Sequence, residues 1–219
     1  MAGVNLKGNC YLCGKEFAKT SFLKHMLTAH VSANGELQEC ALIRVDSSDP
    51  KGYWLYLDIP LTSTLKTLDT FLRDIWLECC GHMSCFTVDK WDEIGMSRKI
   101  GNFFPKTTLG YEYDFGDTTE LKITFCGIVQ RPKQRKAVRL LARNIAPKLT
   151  CRVCGNVAEW ICVECMWEDV QNPFYCEACL DEDGGHDARL PVVNSPRMGV
   201  CGYEGVFDLY QYVPEEFEM

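Results

Sequence analysis

The sequence predicts an α+β protein with a central, mostly antiparallel sheet and one main helix, flanked by small Cys- and His-rich modules. Three observations predict it. Apolar and aromatic runs at 53–59, 85–88 and 120–129 are typical of strands, and an apolar stripe at helical spacing starts at Leu65. Cys-x-x-Cys pairs gather towards both ends. With 219 residues, 47% of them apolar, the chain can form one ordinary domain plus small modules.

Residues 1–35 predict a Cys2His2 zinc finger with the ligands Cys10, Cys13, His25 and His30. A Cys-x-x-Cys turn points two thiolates at one ion, and two histidines five residues apart close the site from one face of a helix. The gap between the second cysteine and the first histidine is eleven residues rather than the usual about twelve. This shift changes the helix positions that would contact bases. A lone finger often binds protein, so zinc alone does not identify the partner.

Residues 36–130 predict the α+β domain. A first strand, 53–59, ends at Pro60, and Thr62 or Ser63 is expected to cap the following helix. The helix runs to about residue 79, where Gly81 ends it. Its apolar stripe consists of Leu65, Leu68, Leu72, Ile75 and Cys79. Three segments complete the predicted sheet: a strand at 85–88, a strand and turn at 110–117, and a strand at 120–129.

Two groups of side chains in this domain admit a catalytic interpretation. The first group consists of Cys79, Cys80, His82 and Cys85. It could be a metal site or a Cys–His nucleophile pair. The simpler account is that these thiols face the core. The other group is Asp114 and Asp117, which could act as paired carboxylates. Aspartate next to glycine more often caps a tight turn, and we favour that interpretation.

The run Thr64–Phe86, together with the Tyr-Glu-Tyr-Asp-Phe-Gly-Asp sequence at 111–117, resembles the plasmid pRiA-type ORF-three-like proteins, also called insertion-element passenger TnpR-like proteins. The shared features include the helix ending at Trp76. The resemblance covers about residues 40–130, and the tail at 194–203 is loosely similar, which favours Cys201 as a ligand. It implies an α+β sheet fold and a link to mobile elements, and it brings no activity.

Residues 131–150 hold seven basic residues and no acidic one. Val138, Leu141 and Ile145 recur at helical spacing, which predicts a basic amphipathic helix or linker. It could pack its apolar stripe on the α+β domain, or it could contact phosphates. The candidate nucleic-acid-binding residues are Lys133, Arg135, Lys136, Arg139 and Arg143.

Residues 151–219 predict a two-zinc module, because three Cys-x-x-Cys pairs are followed by a histidine and a further cysteine. We favour an interleaved arrangement, which is similar to B-box-like cross-brace modules. One site then consists of Cys151, Cys154, Cys176 and Cys179. The other consists of Cys162, Cys165, His186 and Cys201. A sequential arrangement pairs the first two Cys-x-x-Cys units and gives the remaining four ligands to the second ion. Asp183 or Asp187 could replace Cys201. With the finger, three structural Zn²⁺ sites are expected.

The net charge of −7 is unevenly distributed, since residues 151–219 carry 3 basic and 14 acidic side chains. This excludes nucleic-acid binding by the whole surface, and the acidic module suits a basic protein partner. No apolar run is long enough for a membrane span. The start MAGVNLKGNC lacks a secretory signal, so we expect a cytoplasmic protein whose fourteen cysteines bind metal rather than form disulfides.

These features favour a non-catalytic zinc-binding adaptor in a nucleoprotein or protein–protein assembly. A protein partner is expected, nucleic acid is an option through the finger and residues 131–150, and a homodimer is a further option. Two alternatives stay open. One is a nuclease or recombinase accessory using Asp114, Asp117 and His82, and the other is a module that only binds protein.

Overall fold

The computed structural model describes residues 7–30, 36–89, 92–103, 107–133, 135–168, 170–182, 188–206 and 208–215. It confirms the α+β class, because a large antiparallel sheet dominates and helices are few. The four α-helices are α1 (Lys19–Ala29), α2 (Leu65–Leu72), α3 (Val163–Trp167) and α4 (Glu177–Glu182). Within the described part of the chain, no helix is long and apolar enough to cross a membrane.

Nine strands form the main sheet, and every neighbouring pair is antiparallel. The strands are β1 (Lys7–Cys10), β2 (Glu16–Ala18), β3 (Leu37–Ser47), β4 (Trp54–Pro60), β5 (Ser84–Val88), β6 (Asp92–Ile94), β7 (Thr108–Tyr113), β8 (Thr119–Pro132) and β9 (Arg139–Asn144). Their order is β2-β1-β9-β4-β3-β8-β7-β5-β6. The expected strands at 53–59, 85–88 and 120–129 are present as β4, β5 and β8.

The centre of the sheet is the long pairing of β3 with β8, which runs from Leu37 opposite Pro132 to Ser47 opposite Leu121. One register shift interrupts it after Leu42. No strand was expected at β3. Its neighbour β4 is buried along almost its whole length, as expected for a strand covered on both faces.

The main helix packs its apolar stripe against the sheet, as its spacing predicts. Leu65, Leu68, Phe71 and Leu72 are all buried, and the helix continues through one π-helical turn, Arg73–Leu77. The residue preceding α2 is Thr64 rather than Thr62 or Ser63. The backbone N–H groups at its start are satisfied instead by carbonyls of the 96–98 segment, so no side-chain cap is needed.

The expected helix at 131–150 is wrong, because residues 139–144 form β9. The described residues on either side of this strand, 133, 135–138 and 145–149, contain neither helix nor strand. This strand lies between β1 and β4 in the sheet. All of its residues are buried, so the apolar residues at apparent helical spacing serve a strand covered on both faces.

The C-terminal module has its own small sheet, in the order β11-β10-β12, and its own apolar core. Its strands are β10 (Trp160–Cys162), β11 (Phe174–Tyr175) and β12 (Arg189–Pro191). The chain then returns to the main domain. Tyr212 packs edge-on against Phe71 of α2, with 4.8 Å between ring centroids.

Candidate metal centres

The four expected ligands of the finger lie together. Cys10 ends β1, Cys13 lies in the turn before β2, His25 is in α1, and His30 follows the end of that helix. The two Sγ–Nε2 distances, Cys10 to His30 and Cys13 to His25, are both 3.5 Å. The two histidine Nε2 atoms are 3.0 Å apart. The four residues therefore converge on one point.

Local chain geometry holds this arrangement. Gly14 has φ +70°, which a glycine adopts without strain, and its N–H donates to the Cys10 carbonyl at 2.8 Å. The Leu12 N–H points at the Cys10 sulfur, 3.4 Å away. On the other side of the site, Phe17 stacks on the His25 ring with 4.0 Å between centroids. The turn at Gly14 and the packing of Phe17 on His25 thus orient the thiols and the imidazoles towards one another.

The protonation states of these groups suit a metal. Partial burial, reinforced by the nearby charges of His30 and Lys15, lowers the pKa of His25, so its ring is neutral near pH 7. Burial raises the pKa of Cys10 to about 11. A cation is needed to convert this thiol to a thiolate, and binding would release its proton.

A second cluster joins Cys151, Cys154, Cys176 and Cys179, the first site of the interleaved arrangement. The sulfurs of Cys154 and Cys176 are 3.6 Å apart. The first Cys-x-x-Cys turn repeats the finger's design, because Gly155 has φ +76° and donates to the Cys151 carbonyl at 3.0 Å.

The Cys151 thiol of this cluster ionises readily. Burial alone would raise its pKa, but backbone N–H groups of Cys154, Cys176 and Val153 stabilise the thiolate and lower the pKa to about 6. A thiolate that is present at neutral pH binds a metal without first losing a proton.

The other expected site of the module is only half described. Cys162 and Cys165 are buried beside each other, and the Cys165 N–H donates to the Cys162 sulfur at 3.2 Å. The Cys165 sulfur lies 3.7 Å from the Tyr175 hydroxyl. The remaining candidates, His186 and the alternatives Asp183 and Asp187, lie outside the described residues.

Cys201 does not complete that site, which corrects the expected ligand set. Its sulfur lies 3.4 Å from Cys80 Sγ and 3.5 Å from His82 Nε2. With Cys79 these residues form a third cluster. The reason is the path of the tail, which leaves the small sheet after β12 and crosses back to the end of the main helix.

The separations within the clusters can be compared with those that zinc requires. Tetrahedral Zn²⁺ with Zn–S of about 2.3 Å and Zn–N of about 2.05 Å requires ligand–ligand separations of about 3.8 Å for S–S, about 3.6 Å for S–N and about 3.3 Å for N–N. The S–S separations of 3.4–3.6 Å and the S–N separations of 3.5 Å are near these values, whereas the 3.0 Å between the two histidine Nε2 atoms and the 2.9 Å between Cys80 Sγ and His82 Nε2 are shorter. A disulfide needs an S–S distance of about 2.0 Å, and no disulfide joins the cysteines. Each cluster could hold a metal ion.

The proposed nucleic-acid-binding residues do not form one surface, which corrects that expectation for Arg139 and Arg143. Both are buried. Arg139 forms an ion pair with Asp58 at 2.6 Å, and Arg143 donates to the backbone carbonyl of Asn194. Both arginines belong to a strand with neighbours on each side, so their charges face protein groups.

The other three basic residues are less enclosed. Lys133 is exposed and pairs with Glu36 at 3.0 Å, and Lys136 donates to the Val213 carbonyl at 3.0 Å. Arg135 is exposed. Three cations remain, and two of them already have protein partners.

Asp114 serves as a turn cap and as the partner of a buried arginine. It has φ +64° and accepts hydrogen bonds from the N–H groups of Gly116 and Asp117, as the turn interpretation expects. Arg197, fully buried, donates to its Oδ2 at 2.5 Å. That oxygen is also 3.4 Å from His82 Nε2. Asp114 is thus committed to structure, and the Asp117 side chain is exposed.

The third cluster is what the sequence interpretation missed. The density of Cys79, Cys80 and His82 was visible, but the fourth ligand had been assigned to the C-terminal module. Cys85, considered with them, is instead buried in β5. A tail that crosses back to the main domain leaves no local signal, so cysteine spacing alone could not reveal this pairing.

Comparisons with known proteins identify no family and give a distant structural similarity. No protein-family profile matches the chain. No curated protein matches it. Among solved structures, the chain is similar to a protein of unknown function from Methanosarcina mazei Go1, with 17% identity and a TM-score of 0.43. The match covers 54% of this chain and 75% of that protein.

Proposed function

We propose that this protein is a non-catalytic, zinc-binding adaptor of the cytoplasm that binds a basic segment of a partner protein. The observation that carries the proposal is the donor set of the finger and of the Cys151 cluster, each with four protein ligand atoms that lie within 4.8 Å of one another. Thiolate and imidazole donors at such spacing favour Zn²⁺. Four protein ligands leave no open position for a substrate or a water, so these ions would stabilise structure rather than catalyse.

The partner-binding surface that we propose is the exposed face of α3. Trp167 is 77% exposed, which is unusual for so large an apolar side chain. The exposed carboxylates Glu164 and Glu168 flank it. Next to it, a cleft of about 520 Å³ separates this helix from the 116–118 turn.

The chemistry of this face suits arginine or lysine. A cation over a tryptophan ring gains about 0.5–2 kcal/mol, and Arg-rich segments also pair with carboxylates. Tryptophan is also among the residues that dominate binding energy at interfaces. The excess of acidic residues in 151–219 would attract such a segment over distance and repel nucleic acid.

A direct binding assay tests this proposal with zinc-loaded protein. The probes are a labelled Arg/Lys-rich peptide, an equally long Glu-rich peptide and a mixed-sequence DNA duplex. We expect the basic peptide to bind, and Trp167→Ala to weaken it about tenfold, the equivalent of about 1.4 kcal/mol. Glu164→Lys with Glu168→Lys should weaken it further. Tyr210→Ala removes another exposed aromatic residue, remote from this face in sequence, and should change nothing.

Two results would count against the adaptor. Equal binding of basic and acidic peptides would show that charge does not select the partner, and an unchanged affinity in Trp167→Ala would exclude α3 as the surface. Binding of DNA in place of the peptide would favour the nucleoprotein version, with its link to mobile elements. Co-purification from the native host with and without nuclease would then identify which partner is physiological.

A further inference from the structure

We propose that Cys79, Cys80, His82 and Cys201 form a zinc site that fastens the C-terminal tail to the main domain. Cys80 is central to the cluster. Its sulfur is 2.9 Å from His82 Nε2, 3.4 Å from Cys201 Sγ and 3.6 Å from Cys79 Sγ. All four ligand atoms lie within 4.8 Å of one another. Three thiolates and one imidazole form a closed tetrahedral donor set of the kind that Zn²⁺ prefers.

The end of the main helix is built to present three of these ligands. After the π-helical turn the chain leaves the helix at Glu78, whose carboxylate accepts the Gly81 N–H at 2.6 Å. Gly81 has φ +79°. This tight turn, which a side chain at Gly81 would strain, places two adjacent cysteines and His82 on one side of the chain.

The tail is held at the same place by contacts of its own. Ser195 donates to the Trp76 carbonyl at 2.7 Å. Arg197 donates to Asp114 and, at 3.1 Å, to Thr119 Oγ1. The next residues turn so that Cys201 adopts φ +55°, a conformation that residues with a side chain rarely take and that concentrates at functional sites.

Arg197 also supports the charge of such a site. Zn²⁺ with three thiolates and a neutral imidazole has a net charge of −1. The guanidinium of Arg197 lies 3.6 Å from Cys79 Sγ, in position to donate to a thiolate. Groups behind the ligands of a metal site commonly orient them and balance their charge in this way.

The consequence is a cross-link between residues far apart in the chain. In a reducing compartment a disulfide would not persist, whereas zinc can join the same thiols. Gly199, Val200 and Cys201 line one wall of the cleft beside Trp167. The zinc site would therefore fix that wall as well as the tail. It does not depend on the identity of any partner.

Zinc counting by native mass spectrometry tests the site in the full chain, without a partner. Cys80→Ser and Cys201→Ser should each lose one zinc relative to the wild type. Cys126→Ser, a cysteine outside all three clusters, should lose none. Cys201→His should restore the ion, since imidazole can replace a thiolate. A wild-type zinc count in Cys201→Ser would overturn the proposal.

Alkylation of the wild-type protein tests the same site without any substitution. Cys201 is exposed, so as an unligated thiol it would react quickly. We expect N-ethylmaleimide to modify it slowly in zinc-loaded protein and at least about tenfold faster after chelation. Fast modification before chelation, or a Cys80–Cys201 disulfide under reducing conditions, would overturn the proposal. The zinc-site tests and the peptide-binding test can fail separately. Trp167→Ala should weaken peptide binding and keep its full zinc count.

Discussion

Asp58→Asn should strongly destabilise the central sheet. Asp58 has no exposed surface and lies between two buried arginines. Arg139 contacts it through Nε and Nη2, at 3.1 Å and 2.6 Å from Oδ2, and Arg131 Nε is 3.2 Å from Oδ1. The asparagine keeps the shape of the side chain but removes the negative charge that both guanidinium groups contact.

The cost follows from removing the charged partner of a buried ion pair. Breaking a buried ion pair by removing one partner costs about 3–5 kcal/mol. With a urea m-value of about 2 kcal/mol/M, the unfolding midpoint should fall by about 2 M. Far-UV circular dichroism in saturating zinc measures it. The matched control is Glu120→Gln, an exposed carboxylate of β8, which should change stability by less than about 0.5 kcal/mol.

A loss below about 1 kcal/mol would refute this reasoning. It would mean that Arg131 and Arg139 reach solvent in the native protein. Arg139 would then again be a candidate for contact with phosphates. The experiment thus tests both the energetics of the triad and the reassignment of the basic segment from surface to core.

Three further predictions concern the sheet and its attachments. Hydrogen bonds outweigh the burial of Asp69 and lower its pKa, so its stabilisation is present above the unfolded pKa of about 3.9 and is lost as pH falls. Asp69→Asn should therefore be less stable than wild type at pH 7, by a margin that shrinks below about pH 4 in urea titrations. Gly8→Ala would place a Cβ 2.5 Å from the Trp54 ring, and calorimetry should show a melting temperature lower by about 2–10 °C. Gly199→Ala, at φ +81° and with its Cβ 2.5 Å from Met166 Sδ, should loosen the tail and speed hydrogen exchange at 199–203. Unchanged behaviour in any of the three would show that the corresponding contact carries no strain or charge.

The sequence predicted the features that local pattern determines. A Cys-x-x-Cys turn followed by glycine needs only a few residues, and its geometry recurs at Gly14 and Gly155. The apolar stripe of α2 and the strand β4 could also be predicted from the sequence. A helix buried on one face shows apolar residues at a period of three to four, and a strand buried on both faces shows a continuous apolar run. These elements need no knowledge of distant partners.

Pairings that depend on distant residues were missed. In β3, Asp46 forms ion pairs with Arg44 at 2.7 Å and with the distant Lys19 at 2.9 Å, so charged residues interrupt what would otherwise be a recognisable run. In β9, the arginines are buried with partners that are distant in sequence, but their number made the segment resemble an exposed basic surface. The position of Cys201 depends on a tail that crosses the molecule. Each case is a tertiary contact that overrides a local signal.

The position of β9 has a consequence for how the chain is made. Gly8 of β1 pairs with Asn144 of β9, so the finger cannot join the main sheet until β9 has left the ribosome. The finger can load its ion from residues 10–30 long before then. Its apolar residue Phe22 is fully buried in the finished protein in a cluster that includes Tyr56, Leu141 and Ala142, and the last two of these are missing until β9 is made. A nascent chain stopped before residue 139 would therefore present two unpaired strand edges, those of β1 and β4, and would be prone to aggregate.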